Sequence, residues 1–167
     1  FTSPTEYVET TTIADDRGRY LFTGLDTADG FVYVTSVTYE NQIYASGMIR
    51  VSAEPQQVAD ITIYATTTDQ SAVRVVSRGL VLTEIDQQTS TLTVLDVFAL
   101  SFESDRALVQ GDDGRTLRFP VPATALEVSP SQGFNFGTPS VEGSTVYATG
   151  PLLPGESTAT LSWTALY

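Results

Sequence analysis

Cysteine, histidine and lysine are all missing from this 167-residue chain. Without cysteine there is no disulfide and no thiolate chemistry. Without histidine the commonest general base and the commonest transition-metal ligand are both gone. Every one of the eight cations is an arginine, at positions 17, 19, 50, 74, 78, 106, 115 and 118. Schiff-base chemistry, Ser–Lys dyads and Lys–Asn isopeptide cross-links therefore cannot form within the chain. Basic charge is scarce altogether, and twenty acidic residues bring the net charge to −12. A field of that sign opposes nucleic acid and anionic lipid, both of which need a basic patch. No apolar run approaches the ~20 residues of a membrane-spanning helix. Asparagine occurs only at positions 41 and 135, and neither begins an Asn-x-Ser/Thr acceptor. The chain opens at Phe1 without a methionine. We read that as a processed product or a segment of a longer, exported protein whose signal or anchor lies elsewhere.

What is present points to extended structure. Threonine occurs 25 times and serine 15 times, so hydroxyls stand where charges usually would. β-Branched threonine suits a pleated surface better than a helix. Turn signals recur about every ten residues, and no stretch holds a 3.6-residue apolar period. The expected class is all-β, as two tandem β-sandwich modules of transthyretin or immunoglobulin type, residues 1–66 and 67–167. The polar segment Ala65–Ser71 lacks apolar alternation and marks the expected boundary.

In the first module, Thr10–Phe22 reads as a hairpin closed by Asp15, Asp16 and Gly18, because Asp closes such turns and Gly accepts a positive φ. Phe31–Tyr39 follows as a strand with Phe31, Tyr33, Thr35, Val37 and Tyr39 on one face. Ile43–Val51 and Val58–Tyr64 close the module, with Pro55 between them. In the second, Ala72–Val76, Gly79–Ile85 and Thr89–Phe102 read as strands. A hairpin about Gly111–Gly114 has arms Ala107–Gln110 and Thr116–Phe119. Ala125–Val128, Thr145–Tyr147 and Ala159–Leu166 complete the set, and the prolines from Pro120 to Pro154 fall between strands.

The run from Thr12 to Phe22, with Asp15, Asp16, Gly18, Tyr20 and Phe22, is followed by Gly24, Leu25 and an aromatic-rich strand. Over roughly residues 5–64 this resembles the carboxypeptidase regulatory-like domain. The resemblance implies a transthyretin-like sandwich of a kind often carried by exported bacterial proteins, commonly as a non-catalytic module and also as an accessory domain of enzymes. Such domains usually begin with a strand bearing a Gly-x-Val pattern, which Phe1–Glu9 does not show. Either the chain is cut, or one sheet edge is left open for a strand from another subunit.

Few side chains suggest a site. Asp15, Asp16 and Asp26 gather at one end of the first module in this reading, and Asp112 and Asp113 lie in a loop of the second. Hard carboxylate oxygens suit calcium, though no EF-hand spacing is present and turn chemistry explains these residues as well. Asp96 is the odd residue, in register with Leu92, Val94, Phe98, Leu100 and Phe102 on one face of a strand. A carboxylate there is paired, protonated or turned outward by a bulge. The expectation is a structural ion pair, with Arg118 as partner and Arg74 and Arg78 as the other candidates. A catalytic carboxylate is the rival reading. Tyr33, Tyr39, Tyr44, Tyr64, Tyr147, Trp163 and Tyr167 serve either as core and edge residues or in part as a sugar-stacking platform.

No nucleophile elbow, phosphate-cradling glycine loop or metal-ligand spacing occurs. The sequence therefore implies a non-enzymatic, extracellular or cell-surface structural module. Its expected partners are other protein subunits, through self-assembly, a larger surface complex or a filament, with strand addition as a route. A carbohydrate- or ligand-binding module and an accessory domain of a secreted enzyme are the alternatives.

Overall fold

Alternation of apolar and polar side chains dictates the longest strands, because a period of two turns every second residue to the same face. In the computed structural model, which describes residues 8–51 and 56–167, the chain is all-β, with no helix among the described residues. Pro55 and most of Phe1–Glu9, on which the expected missing strand turns, lie outside them. Eleven strands are found there: β1 Ser36–Tyr39, β2 Gln42–Ala45, β3 Ala65–Thr67, β4 Val73–Asp86, β5 Thr91–Phe102, β6 Arg106–Leu108, β7 Leu117–Pro120, β8 Val128–Pro130, β9 Ser140–Glu142, β10 Thr145–Ala148 and β11 Gly155–Leu166.

The chain divides into two compact units. One comprises Phe1–Val37 and Ala45–Ile61, the other Thr38–Tyr44 and Thr62–Tyr167. The last division between them falls at Ile61/Thr62, where the sequence reading places it at 66/67. Ala65–Thr67 belongs to the second unit as β3, paired in parallel with β6. Thr66 is further held by Glu40, whose carboxylate accepts from the Thr66 amide at 2.7 Å and its hydroxyl at 2.9 Å. The segment looked like a linker because backbone pairing and one carboxylate hold it, without apolar alternation.

The first unit departs furthest from expectation. Asp15–Gly18 does form its turn, with the Gly18 amide donating to the Asp15 carbonyl at 2.9 Å and Gly18 at φ +75°. No strands flank it, however, so Thr10–Phe22 is a turn without a hairpin ladder. Tyr33 and Ile49 make a single antiparallel bridge. The hairpin β1–β2, whose residues Thr38–Tyr44 belong to the second unit, is closed by Glu40 and Asn41, both at positive φ, which is the twist a two-residue hairpin loop requires. No described side chain of the first unit is fully buried; Ile13 and Met48 are almost completely exposed. Alternation along Phe31–Tyr39 is real in the sequence but meets no packed apolar layer within the unit.

The second unit holds the core. One sheet has the order β4-β5-β11-β8 and another β7-β10-β9. β11 pairs with β5 along all twelve residues, so Leu161 lies opposite Asp96 and Trp163 opposite Val94. The inward residues Val94, Phe98, Leu100, Phe102, Leu161 and Trp163 form one cluster with Leu117, Phe119, Val146 and Ala148 of the smaller sheet. Phe119 lies at its middle, 5.2 Å from Phe98, 5.8 Å from Phe134 and 6.1 Å from Phe136 between ring centres. Burying each such side chain contributes about 1.5–3 kcal/mol.

Two details differ from the sequence reading. Ala72–Val76 and Gly79–Ile85 are one strand, β4, continuous through Gly79 and irregular at two bulges where Val76 and Thr83 are extra residues. The Gly111–Gly114 turn forms, with the Gly111 amide 3.0 Å from the Arg115 carbonyl, but its arms join different sheets. β6 goes to β3 and β7 to β10, because a turn fixes local reversal while pairing is decided by the partners available. Pro120 and Pro130 sit in the short outer strands β7 and β8, where a missing amide proton is tolerated.

Backbone closeness at Gly150 supplies a test of this packing. A Cβ there would lie 2.4 Å from both the Phe136 carbonyl carbon and the Gly137 nitrogen. The Gly150 amide also donates to the Phe136 carbonyl at 2.6 Å. Gly150→Ala is expected to cost about 3 kcal/mol, read by urea unfolding, because backbone must move to admit the methyl group. Gly79→Ala, at a site with open space and, like Gly150, no positive φ, serves as the comparison without a backbone clash.

Candidate functional site

Asp96 is the one charged residue with no solvent exposure among the described residues. It lies on the inward face of β5, as its register requires, and no bulge turns it out. Arg78 on β4 lies opposite Phe98, two residues along β5 on the same face, which is a diagonal within reach of a long side chain. Its Nε donates to Asp96 Oδ1 at 2.9 Å and its Nη2 to Oδ2 at 2.6 Å. Trp163 Nε1 on β11 donates to the same Oδ2 at 3.3 Å. Arg78 Nη2 also donates to the Pro120 carbonyl of β7 at 3.1 Å, and the guanidinium carbon sits 4.7 Å above the Phe98 ring centre. The carboxylate holds the Arg78 guanidinium above its ordinary pKa, chiefly through these hydrogen bonds.

The expected pairing of Asp96 with Arg118 is therefore corrected. β7 alternates, with Leu117 and Phe119 inward and Arg118 outward, so Arg118 faces away from the core that contains Asp96. It pairs with Asp113 at 3.4 Å instead. Arg74 lies on the opposite face of β4 and donates to the Ser71 and Val73 carbonyls. Both Asp96 oxygens are engaged and neither meets solvent, an arrangement that fastens strands together and leaves no place for a reacting molecule.

The aspartates proposed for calcium are not brought together. Asp15 Oδ1 accepts from the amides of Arg17 at 3.0 Å and Arg19 at 2.8 Å, while Oδ2 takes the Arg19 guanidinium. Those bonds, the Arg19 amide first, hold its carboxyl below the usual range. Asp26 Oδ1 accepts from the Ala28 amide at 2.8 Å within its own turn. Among the described residues no three acidic side chains cluster so as to hold a metal ion. Asp113 likewise serves its own turn, accepting from the Arg115 amide at 3.1 Å.

Aromatic residues also scatter. Trp163 and Tyr44 are buried, and Tyr44 donates its hydroxyl proton to the Tyr64 carbonyl at 2.7 Å. Tyr147 carries the Arg115 guanidinium 3.7 Å above its ring, and Arg115 is also ion-paired to Glu142. Tyr33 donates to the Asp26 carbonyl at 2.8 Å.

The feature that sequence reasoning missed is the exposed, outer position of β4. This strand has 14 residues, and all but its two end residues are exposed. Val75, Val76, Leu80, Val81, Leu82 and Ile85 are each more than half exposed. The other outer strands of the two larger sheets, β7, β8 and β9, have three or four residues each. Long strands of valine and leucine ordinarily read as interior ones, and the only hint of an edge was the interleaved Arg74, Arg78, Glu84 and Asp86.

Comparison with known proteins finds no family model, no curated protein and no solved structure that matches this chain.

Three measurements check the geometry. Arg78→Ala strands a buried carboxylate and is expected to cost about 3 kcal/mol, whereas Asp96→Asn leaves a guanidinium able to reach solvent and costs about 1–2 kcal/mol. Chemical unfolding of the two variants gives the order; equal stabilities for variants and parent would refute the pair. Calcium and chelator are expected to leave the melting temperature unchanged. Asp69 and Asp86 are held below the ordinary carboxylate pKa, Asp69 first by the Ser71 amide and Asp86 first by the Thr89 hydroxyl. A folded-state pKa below the unfolded one gives stability that is complete above the unfolded value and lost as pH falls through the folded one. The Asp69→Asn/Asp86→Asn double variant should therefore lose less stability than the parent between about pH 5 and pH 2.

Proposed function

We propose that this chain is a non-enzymatic structural or assembly module of an exported, extracellular or cell-surface protein, joined to other protein subunits by β-strand addition. The observation that carries the reading is the exposed outer strand β4. An unpaired strand presents a row of amide and carbonyl groups that another extended chain can complete. Short or proline-bearing strands blunt such edges, and β4 has neither device.

Chemistry in the residues supports the same reading. The chain has no histidine, cysteine or lysine, and Asp96, the one buried carboxylate among the described residues, accepts from three donors. In the second unit two sheets contribute inward residues to one core, in the manner of a β-sandwich. For the first, the Thr12–Phe22 run with Gly24 and Leu25 supports kinship with carboxypeptidase regulatory-like domains, which are commonly surface modules. Twenty acidic residues favour solubility in an exposed setting and disfavour nucleic acid and anionic lipid as partners.

Negative-stain microscopy of surface material from the native source, with this chain located by antibody, tests the reading. The expected result is the chain within ordered assemblies. Its recovery solely as a dispersed monomer would overturn the proposal.

A further inference from the structure

Resting on the strand-addition reading, we propose that the partner of β4 is the β4 of a second copy, paired antiparallel about a twofold axis at Leu80. Charge placement along the strand argues for the copy. Arg74 and Arg78 lie in its first half, Glu84 and Asp86 in its second. Parallel pairing of two copies in register sets each charge against itself, whereas antiparallel pairing sets the basic half against the acidic half. Cross-strand pairs of opposite sign are favourable and like pairs are not.

The faces choose the register. Arg74 and Asp86 lie across from the outward residues Ser101 and Thr91 of β5, so they share one side of the sheet. Val75 and Ile85 lie across from Leu100 and Leu92 and share the other. Centring the axis on Leu80 puts Arg74 opposite Asp86, Val75 opposite Ile85, Gly79 opposite Val81 and Leu80 opposite itself. Every one of these pairs matches in face despite the two bulges. The extra residues Val76 and Thr83 flank Leu80 almost evenly, so the irregular stretch of one copy meets that of the other. Two chains of charge −12 repel at a distance, and this local complementarity is what offsets the repulsion at contact.

The result is one eight-stranded sheet, β8-β11-β5-β4 continuing into β4-β5-β11-β8 of the second copy. A contact of this kind is isologous and closes on itself, so by itself it makes dimers. A filament then needs a second, different contact on each copy.

Because the chain has no cysteine, a single introduced thiol reports its neighbour cleanly. Paired strand positions fall within the Cα separation a disulfide accepts. Under mild oxidation the purified full chain carrying Leu80→Cys should form a covalent dimer at least about tenfold faster than one carrying Val141→Cys on exposed β9, because pairing raises the effective thiol concentration. A mixture of Val75→Cys and Ile85→Cys chains should cross-link faster than either alone. Arg74→Glu, with an unchanged melting temperature, should lower dimer mass in sedimentation equilibrium, since it faces two acidic ends. Equal linkage of Leu80→Cys and Val141→Cys, or a parent chain monomeric at every concentration, overturns the inference. Faster linkage through Gly79→Cys than through Leu80→Cys also overturns it, by moving the axis. Native assemblies that contain the chain while Leu80→Cys fails to link overturn self-pairing and leave the assembly reading standing.

Discussion

A carboxylate in an apolar interior must be given partners, and in the second unit that requirement organises the strands around it. Asp96 draws Arg78 from β4 and Trp163 from β11, and Arg78 in turn reaches the Pro120 carbonyl on β7. One side-chain cluster thus ties three strands of the larger sheet to the smaller one. A buried pair of this kind need not add stability over an apolar replacement, since desolvating both charges is costly. Its effect is on register. A one-residue slip of β4 turns Arg78 to the other face and strands Asp96 in the core.

That constraint matters most for β4 because apolar burial does little to fix the strand. Its side chains are exposed along most of its length, so burial contributes less here than in β5 or β11. The short connection of residues 87–90 sets the ladder to β5, with Asp86 opposite Thr91. Arg78, with two hydrogen bonds to Asp96, one to Pro120 and its guanidinium over Phe98, holds that register beyond the two bulges.

The sequence displays some of this directly. Strict alternation over Leu92–Phe102 placed Asp96 on the inward face, and an isolated acid on such a face has to be paired. Which arginine pairs with it was not legible, because the answer depends on cross-strand register and on which face each arginine occupies. Arg118 looked equivalent to Arg78 until Leu117 and Phe119 turned inward and left it outside. The Asp–Gly turns were legible for a local reason, since φ and side-chain capping are set within four residues. Whether the flanking arms then pair is a long-range matter. Thr10–Phe22 and the arms about Gly111–Gly114 show the turn surviving without the hairpin. In Phe31–Tyr39 alternation marked a potential face, and a face becomes a core only when a second apolar layer lies against it.

The same limit hid the most exposed apolar feature. Val75, Val76, Leu80, Val81 and Leu82 mark strands in the sequence without placing them at an edge, because apolar content reports a need for cover, not its source. The other outer strands are short, and two of them contain proline, so their unpaired groups are few. β4 is long, free of proline, held extended by its ladder to β5 and tied to the core by the Arg78–Asp96 pair. The interaction that removes a buried charge from jeopardy therefore also keeps the strand in one register, with its outer edge set out for pairing. Were that pair absent, slippage would scramble the alignment of Arg74, Leu80 and Asp86 on which any specific contact at this edge depends. The satisfied carboxylate in the core and the alignment of the β4 edge thus meet in one arginine, Arg78.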